Sequence, residues 1–249
     1  MMSVLQKVPA MKLQFLALIL LAVYPIAIAA ARLEIWHFRN SFLLFIVAAI
    51  VGFVVLVLSV LKMSQGQKQD SKALVIAVVA TLIPIVILGN SIVKAKNYPF
   101  IHDITTDVNM PPALVAAESD RVEGDHSVAY EGAELAALQQ AGYPDLAPLT
   151  ISAEPAKVFA QVKAVVMANG WDVLAENNTE LPYTLEAVDT SLLFGFKDDV
   201  VVRIQPVATS DNTVTSKVDV RSMSRQGKSD LGVNAKRIQQ LLNQLKVAQ

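Results

Sequence analysis

The sequence predicts three transmembrane helices followed by a small α+β domain, in which a four-stranded antiparallel sheet carries flanking helices. Three observations predict this fold class. The 249 residues are 53% hydrophobic and 17% charged, and the hydrophobic residues concentrate before residue 94, in three long stretches without Asp, Glu, Lys or Arg. The remainder has the composition of a globular domain. Within it, four stretches rich in β-branched residues lie between two amphipathic helices.

The three charge-free stretches are residues 13–31, 41–61 and 73–93. A helix needs about 20 apolar residues to cross the hydrocarbon core of a bilayer, so residues 1–96 are predicted to form a membrane anchor. The first stretch has an alternative, because its basic start and the small residues at 27–29 also fit a cleavable signal peptide. Ala48 and Gly52, four residues apart, predict close packing between helices.

Lysine and arginine near the ends of these stretches predict the orientation in the membrane, because cytoplasmic loops carry the excess. The amino-terminal segment and the second loop hold five such residues, and the first loop and the exit from the third stretch hold four: Lys7, Lys12, Lys62, Lys68 and Lys72 against Arg32, Arg39, Lys94 and Lys96. The count predicts a cytoplasmic amino terminus and a soluble domain on the far side. In a bacterial inner membrane, the soluble domain of this multi-pass protein would be periplasmic.

The soluble part divides in two. Residues 97–150 are rich in proline and glycine and predict an extended arm, with a short helix over residues 131–140. Residues 151–249 predict the α+β domain, in which Ser152 caps a helix that ends near residue 169. Strands are predicted over residues 171–176, 183–190, 199–207 and 213–222, with Asp211 and Asn212 in the last turn, and a final helix over residues 230–246. Polar residues alternate with Val200, Val202 and Ile204, which predicts one buried sheet face.

Composition excludes several function classes. The net charge of −1 and the lack of a long basic stretch argue against nucleic-acid binding. The absence of cysteine excludes disulfides, thiolate metal sites and cysteine nucleophiles. Gly227, Lys228 and Ser229 match the end of a phosphate-binding P-loop, but Ser222 stands where that motif needs glycine. We predict no cofactor and no metal.

The segment of residues 221–234 is the best candidate site, because it leaves a strand, passes through a loop and enters a helix. Amides at a helix start with basic side chains beside them suit a phosphate or a carboxylate. The predicted ligand-binding residues are Arg203, Arg221, Ser224, Arg225, Lys228 and Asn234. A structural role is the alternative: Asp230 or Ser229 caps the helix, and the arginines pair with acidic residues such as Glu186 and Asp219.

Three stretches carry a family resemblance: residues 98–107 (YPFIHDITTD), 194–203 (FGFKDDVVVR) and 219–234 (DVRSMSRQGKSDLGVN). They resemble a family known only as domain of unknown function 1499, over about residues 98–245. The resemblance implies a bacterial or plastid setting, often with a membrane or exported context. It implies no activity, cofactor or catalytic residue.

These observations predict a membrane-anchored, non-catalytic binding or assembly module. Its predicted partners are the lipid bilayer and either a membrane protein or an anionic ligand such as a lipid headgroup. The alternative is a membrane-tethered hydrolase that uses His102 with Asp103 and with Asp198 or Asp199. That alternative requires residues far apart in the sequence to meet in one pocket.

Overall fold

The computed structural model describes residues 10–66, 71–207 and 214–247. The chain forms two compact units, one of residues up to Val93 with Leu192–Gly195, the other of Lys94–Ser191 with the residues from Phe196 onward. Lys7 and Lys68, which enter the charge count, lie outside the described residues, as does the predicted Asp211–Asn212 turn.

Within the described residues, the first unit contains the helices α1 (Ala10–Arg32) and α2 (Phe38–Ser64) and most of α3 (Ser71–Asn97). Among the described residues, two stretches are long and apolar enough to cross a membrane, Phe15–Arg32 and Phe38–Ser64. The prediction of three spanning helices is therefore corrected to two. The described apolar part of α3, Leu74–Ile87, is shorter than the roughly 20 residues that a span requires. Residues 73–93 are free of formal charge but not uniformly apolar, since Gly89, Asn90 and Ser91 interrupt them.

Small residues let α2 and α3 approach closely, as the spacing of Ala48 and Gly52 predicts. A Cβ on Gly52 would lie 3.5 Å from the carbonyl oxygen of Ala80 and 3.4 Å from the Thr81 hydroxyl. The Tyr24 hydroxyl of α1 donates a hydrogen bond of 2.7 Å to that same carbonyl. Many large apolar side chains of α1 and α2, such as Phe15 and Leu43, face outward and are exposed. Exposed apolar surface of this extent favours a lipid environment.

The second unit is an α+β domain built on one antiparallel sheet of six strands. The strands are β1 (Asp103–Thr105), β2 (Leu149–Ile151), β3 (Asp172–Asn177), β4 (Tyr183–Thr190), β5 (Lys197–Val207) and β6 (Thr215–Ser224). They are ordered β1-β6-β5-β4-β3, and β2 also pairs with β6. The helices are α4 (Ala116–Ser119), α5 (Ala133–Gly142), α6 (Pro155–Ala168) and α7 (Val233–Val247).

The predicted number of four strands is wrong, because β1, within the segment 97–150, and β2, at the end of that segment, escape detection by pattern. Each has only three residues, too few to show alternation. Both are held by long-range pairing to β6, with Asp103 opposite Met223 and Leu149 opposite Val218. The four longer strands are confirmed with shifts of one or two residues at their ends.

One face of the sheet, here called the helix face, packs against α6 and α7. Pro155 occupies the first turn of α6, where its missing N–H costs nothing, so Glu154 rather than the predicted Ser152 takes the cap position. The buried side chains of both helices recur at intervals of three and four residues, which places them on one side of each helix. From the strands, Val200, Val202 and Ile204 complete this core, which confirms the predicted alternation.

The opposite face, here called the arm face, is covered by the chain between β1 and α5. Leu114 and Ala117 pack there on Val201 and Met223. Both carboxylate oxygens of Glu186 accept hydrogen bonds from the backbone amides of residues 115–117, at 3.0–3.1 Å. The acidic residues Glu186, Asp199 and Asp219 on this face of the strands are buried rather than solvated.

Candidate functional site

Arg221 lies on the arm face in a buried ion pair with Asp103. Its Nε and Nη2 donate to the two carboxylate oxygens at 3.0 and 2.8 Å, a bidentate geometry that suits a guanidinium. The side chains are 3% and 0% exposed. Arg221 also donates to the carbonyls of Pro112 and Val128. This arginine ties β6 to β1 and to the covering segment.

Asp199 forms ion pairs with two arginines at once. Arg225 Nη2 lies 2.7 Å and Arg121 Nη2 2.9 Å from its oxygens, and the carboxylate has no exposed surface. Arg225 also pairs with the exposed Asp120 at 2.8 Å. Within the described chain, Nε and Nη1 of Arg121 have no hydrogen-bond partner. Burial, together with the neighbouring arginines, lowers the pKa of Arg121.

A third cluster lies where β5 and β6 meet Asp107. Arg203 contacts Asp219 at 2.9 Å, and Lys217 contacts Asp107 at 3.0 Å. Burial by itself would raise the pKa of Asp107, but hydrogen bonds from Lys217 and from backbone amides outweigh it and hold the pKa below its usual value. For a structural role, the sequence predicts Glu186 or Asp219 as the partner of Arg203, and Arg203 pairs with Asp219.

Polar side chains of the helix face surround Arg237 of α7. Its guanidinium lies 2.6 Å from Asp198 and 2.8 Å from Asp189. Asn234 accepts from the Ser222 hydroxyl at 2.8 Å and donates to Ser224 at 3.0 Å.

Asp230 accepts from the amides of Gly232 and Asn234, both at 2.9 Å, and so caps α7 as predicted. Burial raises the pKa of Asp230, while the two amide hydrogen bonds oppose that shift.

Five of the six predicted ligand-binding residues are therefore divided between the two faces of the sheet, and the sixth lies in a loop. Arg203, Arg221 and Arg225 belong to the arm face and pair with acidic residues. Ser224 and Asn234 belong to the helix face and bond to each other. Lys228, in the loop between β6 and α7, is exposed.

Lys228 lines an open cleft of about 420 Å³. The cleft residues come from the start of the second unit, from the segment between α4 and α5, from the first turns of α5 and from the loop before α7: Phe100, Ile101, His102, His126, Glu131, Glu134, Leu135, Leu138 and Lys228.

His102 is the buried polar group of this cleft. Its side chain is 8% exposed, and its Nε2 lies 3.9 Å from a carboxylate oxygen of Glu131. Among the described residues, this nitrogen has no hydrogen-bond partner. The ring stacks on His126 with 3.9 Å between centroids, and His126 Nε2 lies 2.9 Å from the Gly227 carbonyl oxygen. Burial, and then the charge of His126, lower the pKa of His102.

Comparison with known families places this site in context. Residues 103–245, more than half of the 249-residue chain, match a family described as protein of unknown function (DUF1499). The chain belongs to the DUF1499 family. The resemblance seen in the sequence is thereby confirmed. No curated protein matches the chain.

In the DUF1499 domain, the acids of the hydrolase alternative have other partners. Asp198 pairs with Arg237, and Asp199 pairs with Arg225 and Arg121. The carboxylate nearest the His102 imidazole in the described ion pairs belongs to Glu131. Sequence reasoning missed both His126 and Glu131 as neighbours of His102, since no ligand spacing marks them. Over the described ranges, no three His, Asp or Glu side chains are arranged to hold a metal ion.

The loop that carries Lys228 depends on Gly232. This residue has φ of +80°, and a Cβ there would lie 2.6 Å from the Tyr98 ring. Gly232→Ala is expected to lower the free energy of unfolding by about 1–2 kcal/mol for the left-handed backbone and by roughly 1–3 kcal/mol more for the overlap with Tyr98. Gly227→Ala is the control, because Gly227 has φ of +92° but a Cβ there would lie 3.9 Å from the Ser229 carbonyl oxygen, an ordinary van der Waals distance. Urea denaturation of both variants measures the difference, and equal losses would contradict the overlap.

Stability of the DUF1499 domain is expected to fall as the pH drops below about 6.5, the usual pKa of histidine. Because the folded-state pKa of His102 is lowered, the unfolded chain takes up a proton at higher pH than the folded chain. The loss begins at that pH and is complete below the folded-state pKa. His102→Gln should flatten this part of the stability profile, which urea denaturation at pH 5 to 7.5 would measure. An unchanged slope would contradict the assignment to His102.

Proposed function

We propose that this chain is a membrane-anchored binding or assembly module without a catalytic role. In this proposal α1 and α2 hold it in a bacterial inner membrane, and its DUF1499 domain binds an anionic ligand or a partner protein at the Lys228 end of the segment 221–234. The observation that carries the proposal is the exposed Lys228 beside a cleft, next to arginines that are neutralised inside the domain.

The ion pairs support different roles for the basic residues of the segment 221–234. A guanidinium in a bidentate bond with a buried carboxylate offers little to an external ligand, and removing its partner would be costly. Arg221 and Arg225 are in that position. Over the described chain, the Lys228 ammonium has no ion pair, so its donors are available to a ligand. In this proposal Arg221 and Arg225 stabilise the fold of the domain, and Lys228 is the residue that contacts a ligand or partner.

Nothing in the structure supports the hydrolase alternative, since the acids that it requires are held by arginines. Burial lowers the pKa of the His102 imidazole, and the carboxylate beside it, that of Glu131, is exposed to solvent. The two groups lie 3.9 Å apart, beyond hydrogen-bond distance, so they do not form a positioned acid–base pair.

The side of the membrane depends on α3. With two crossings the domain shares the side of the amino terminus, which the lysine count places in the cytoplasm. The predicted periplasmic location needs a third crossing. A carboxy-terminal reporter that is active only outside the cytoplasm decides between them: activity establishes the periplasmic location, and its absence, with fluorescence of a cytoplasm-specific reporter, establishes the cytoplasmic one.

Site-specific photocrosslinking in cells tests the binding role. A photoreactive residue replaces Lys228 in the full chain, and the control replaces Lys157, an exposed lysine of α6. A discrete adduct from position 228 and none from position 157 supports the proposal. Equal labelling at both positions, or none at either, removes this end of the segment as the binding surface.

A further inference from the structure

The cleft beside Lys228 contains a feature that a solvated surface groove lacks. His102 Nε2 is buried and has no partner in the part of the chain that the structure describes, although it lines an open cleft of about 420 Å³. An unpaired buried polar atom costs free energy, on the order of 1–3 kcal/mol. A ligand that forms a hydrogen bond with this nitrogen recovers that cost, so the imidazole marks the floor of a binding site.

The charges around His102 favour an anion. A neutral imidazole with its proton on Nε2 donates a hydrogen bond, and Lys228 supplies a positive charge at the rim. Two buried charges also act on the pKa of His102: Asp103 raises it and Arg121 lowers it. Asp103 is paired with Arg221, and Arg121 with Asp199, so these charges largely cancel and Lys228 is the charge that attracts a ligand.

Glu131 and Glu134 oppose an anion, but their position limits the effect. Both are exposed, and they flank Gly132 at the start of α5. Exposed charges are screened by water and by salt. Gly132, at the cap position of α5, has no side chain to bond the first amides of the helix, and residues of this first turn line the cleft, so the positive end of the helix lies beside it. The buried charges near His102 are thus paired with opposite charges, and the exposed carboxylates are screened.

The walls of the cleft are apolar. Phe100 is 67% and Leu138 is 47% exposed, although both are large hydrophobic residues, and Ile101 and Leu135 are buried beside them. Apolar side chains gathered around one hydrogen-bonding floor are typical of ligand sites. Such a wall would add nothing to the binding of a bare inorganic ion, so the anion is expected to carry an apolar part.

We infer that this cleft binds the carboxylate or phosphate head of an amphiphilic molecule, with His102 Nε2 and Lys228 donating to the head and Phe100 and Leu138 contacting the apolar chain. The inference rests on the proposed binding function and names its ligand class. Binding is reversible and involves no covalent step.

The three histidines of the chain make a direct test possible by NMR of their rings. His37→Gln removes the ring outside the DUF1499 domain, which leaves the stacked pair in the full chain, reconstituted in phosphatidylcholine nanodiscs. Acetate, hexanoate, inorganic phosphate and hexyl phosphate are then titrated. The expected result is a saturable shift of the His102 ring, with hexanoate or hexyl phosphate binding at least about tenfold more tightly than its short counterpart.

The two series separate the possible heads, since a carboxylate site responds to hexanoate and a phosphate site to hexyl phosphate. Nanodiscs that contain phosphatidylglycerol, with no soluble ligand added, test whether a lipid supplies the phosphate. A shift of the His102 ring in these nanodiscs alone identifies the membrane as the source. No shift with any of the four probes or with phosphatidylglycerol overturns the inference.

Charge variants at the exposed positions Lys228 and Glu131 test the sign of the ligand. Lys228→Gln is expected to weaken hexanoate or hexyl phosphate binding about two- to fivefold, and Glu131→Gln to tighten it by a similar factor. Lys157→Gln is the control and should change nothing. The opposite signs would identify a cationic ligand and overturn the inference. An adduct from position 228 together with silent histidine rings would also overturn it, while the proposed binding function would stand.

Discussion

Arg221→Ala is expected to lower the free energy of unfolding of the DUF1499 domain by about 3–5 kcal/mol. The substitution leaves Asp103, which has no exposed surface, as an unpaired buried charge. It also removes the donors to the carbonyls of Pro112 and Val128. Urea denaturation of the full chain in detergent measures the loss. The chain has two tryptophans, so in a Trp36→Phe background the fluorescence of Trp171 reports on this domain.

Two controls separate this pair from ordinary surface ion pairs. Lys163 and Glu176 lie 2.8 Å apart but are 43% and 27% exposed, so Lys163→Ala should cost less than about 1 kcal/mol. The double variant Arg221→Met with Asp103→Leu should recover most of the loss, because it removes both charges together. A loss below about 1 kcal/mol for Arg221→Ala would show that the pair is hydrated and not structural.

The course of β5 and β6 could be predicted because alternation is a local property. Val200, Val202 and Ile204 point to the helix face, and their alternation with polar residues can be read from the sequence of β5 alone. Whether the arm face is solvated or buried could not be predicted from the strand sequences. Whether Arg221 meets water or Asp103 depends on a segment 118 residues away in sequence, and that segment has no periodicity of its own.

The same dependence on distant segments explains why the arginines of the candidate site could not be assigned from the sequence. Basic residues that follow a strand and precede a helix suggest an anion site, and the local pattern is the same whether the arginines bind a ligand or an internal acid. The burial of Arg221 and Arg225 distinguishes these cases, and burial is set by the covering segment. The His102–His126 stack could not be predicted either, since it joins two irregular segments.

Asp199→Asn is expected to be as damaging as Arg221→Ala, because one carboxylate serves two guanidiniums. Arg225 and Arg121 lie 2.7 and 2.9 Å from its oxygens. The amide keeps the size of the side chain but removes the charge, so two partly buried cations are left against each other. A loss of about 3–5 kcal/mol is expected in the same tryptophan assay. Asp120→Asn is the control, since that carboxylate is 53% exposed and contacts Arg225 alone.

The two arginines are not expected to contribute equally to this cluster. Arg225 is fully engaged, whereas Arg121 leaves Nε and Nη1 without partners among the described residues and so pays for burial without full compensation. Arg121→Met, which fills the space beside Met223 with an apolar chain, should therefore change stability by less than about 1.5 kcal/mol. In the Asp199→Asn background the same substitution should be stabilising, because it removes one of the two cations that have lost the charge of Asp199. If Arg121→Met alone cost as much as Asp199→Asn, the Arg121 guanidinium would have to be as fully satisfied as that of Arg225.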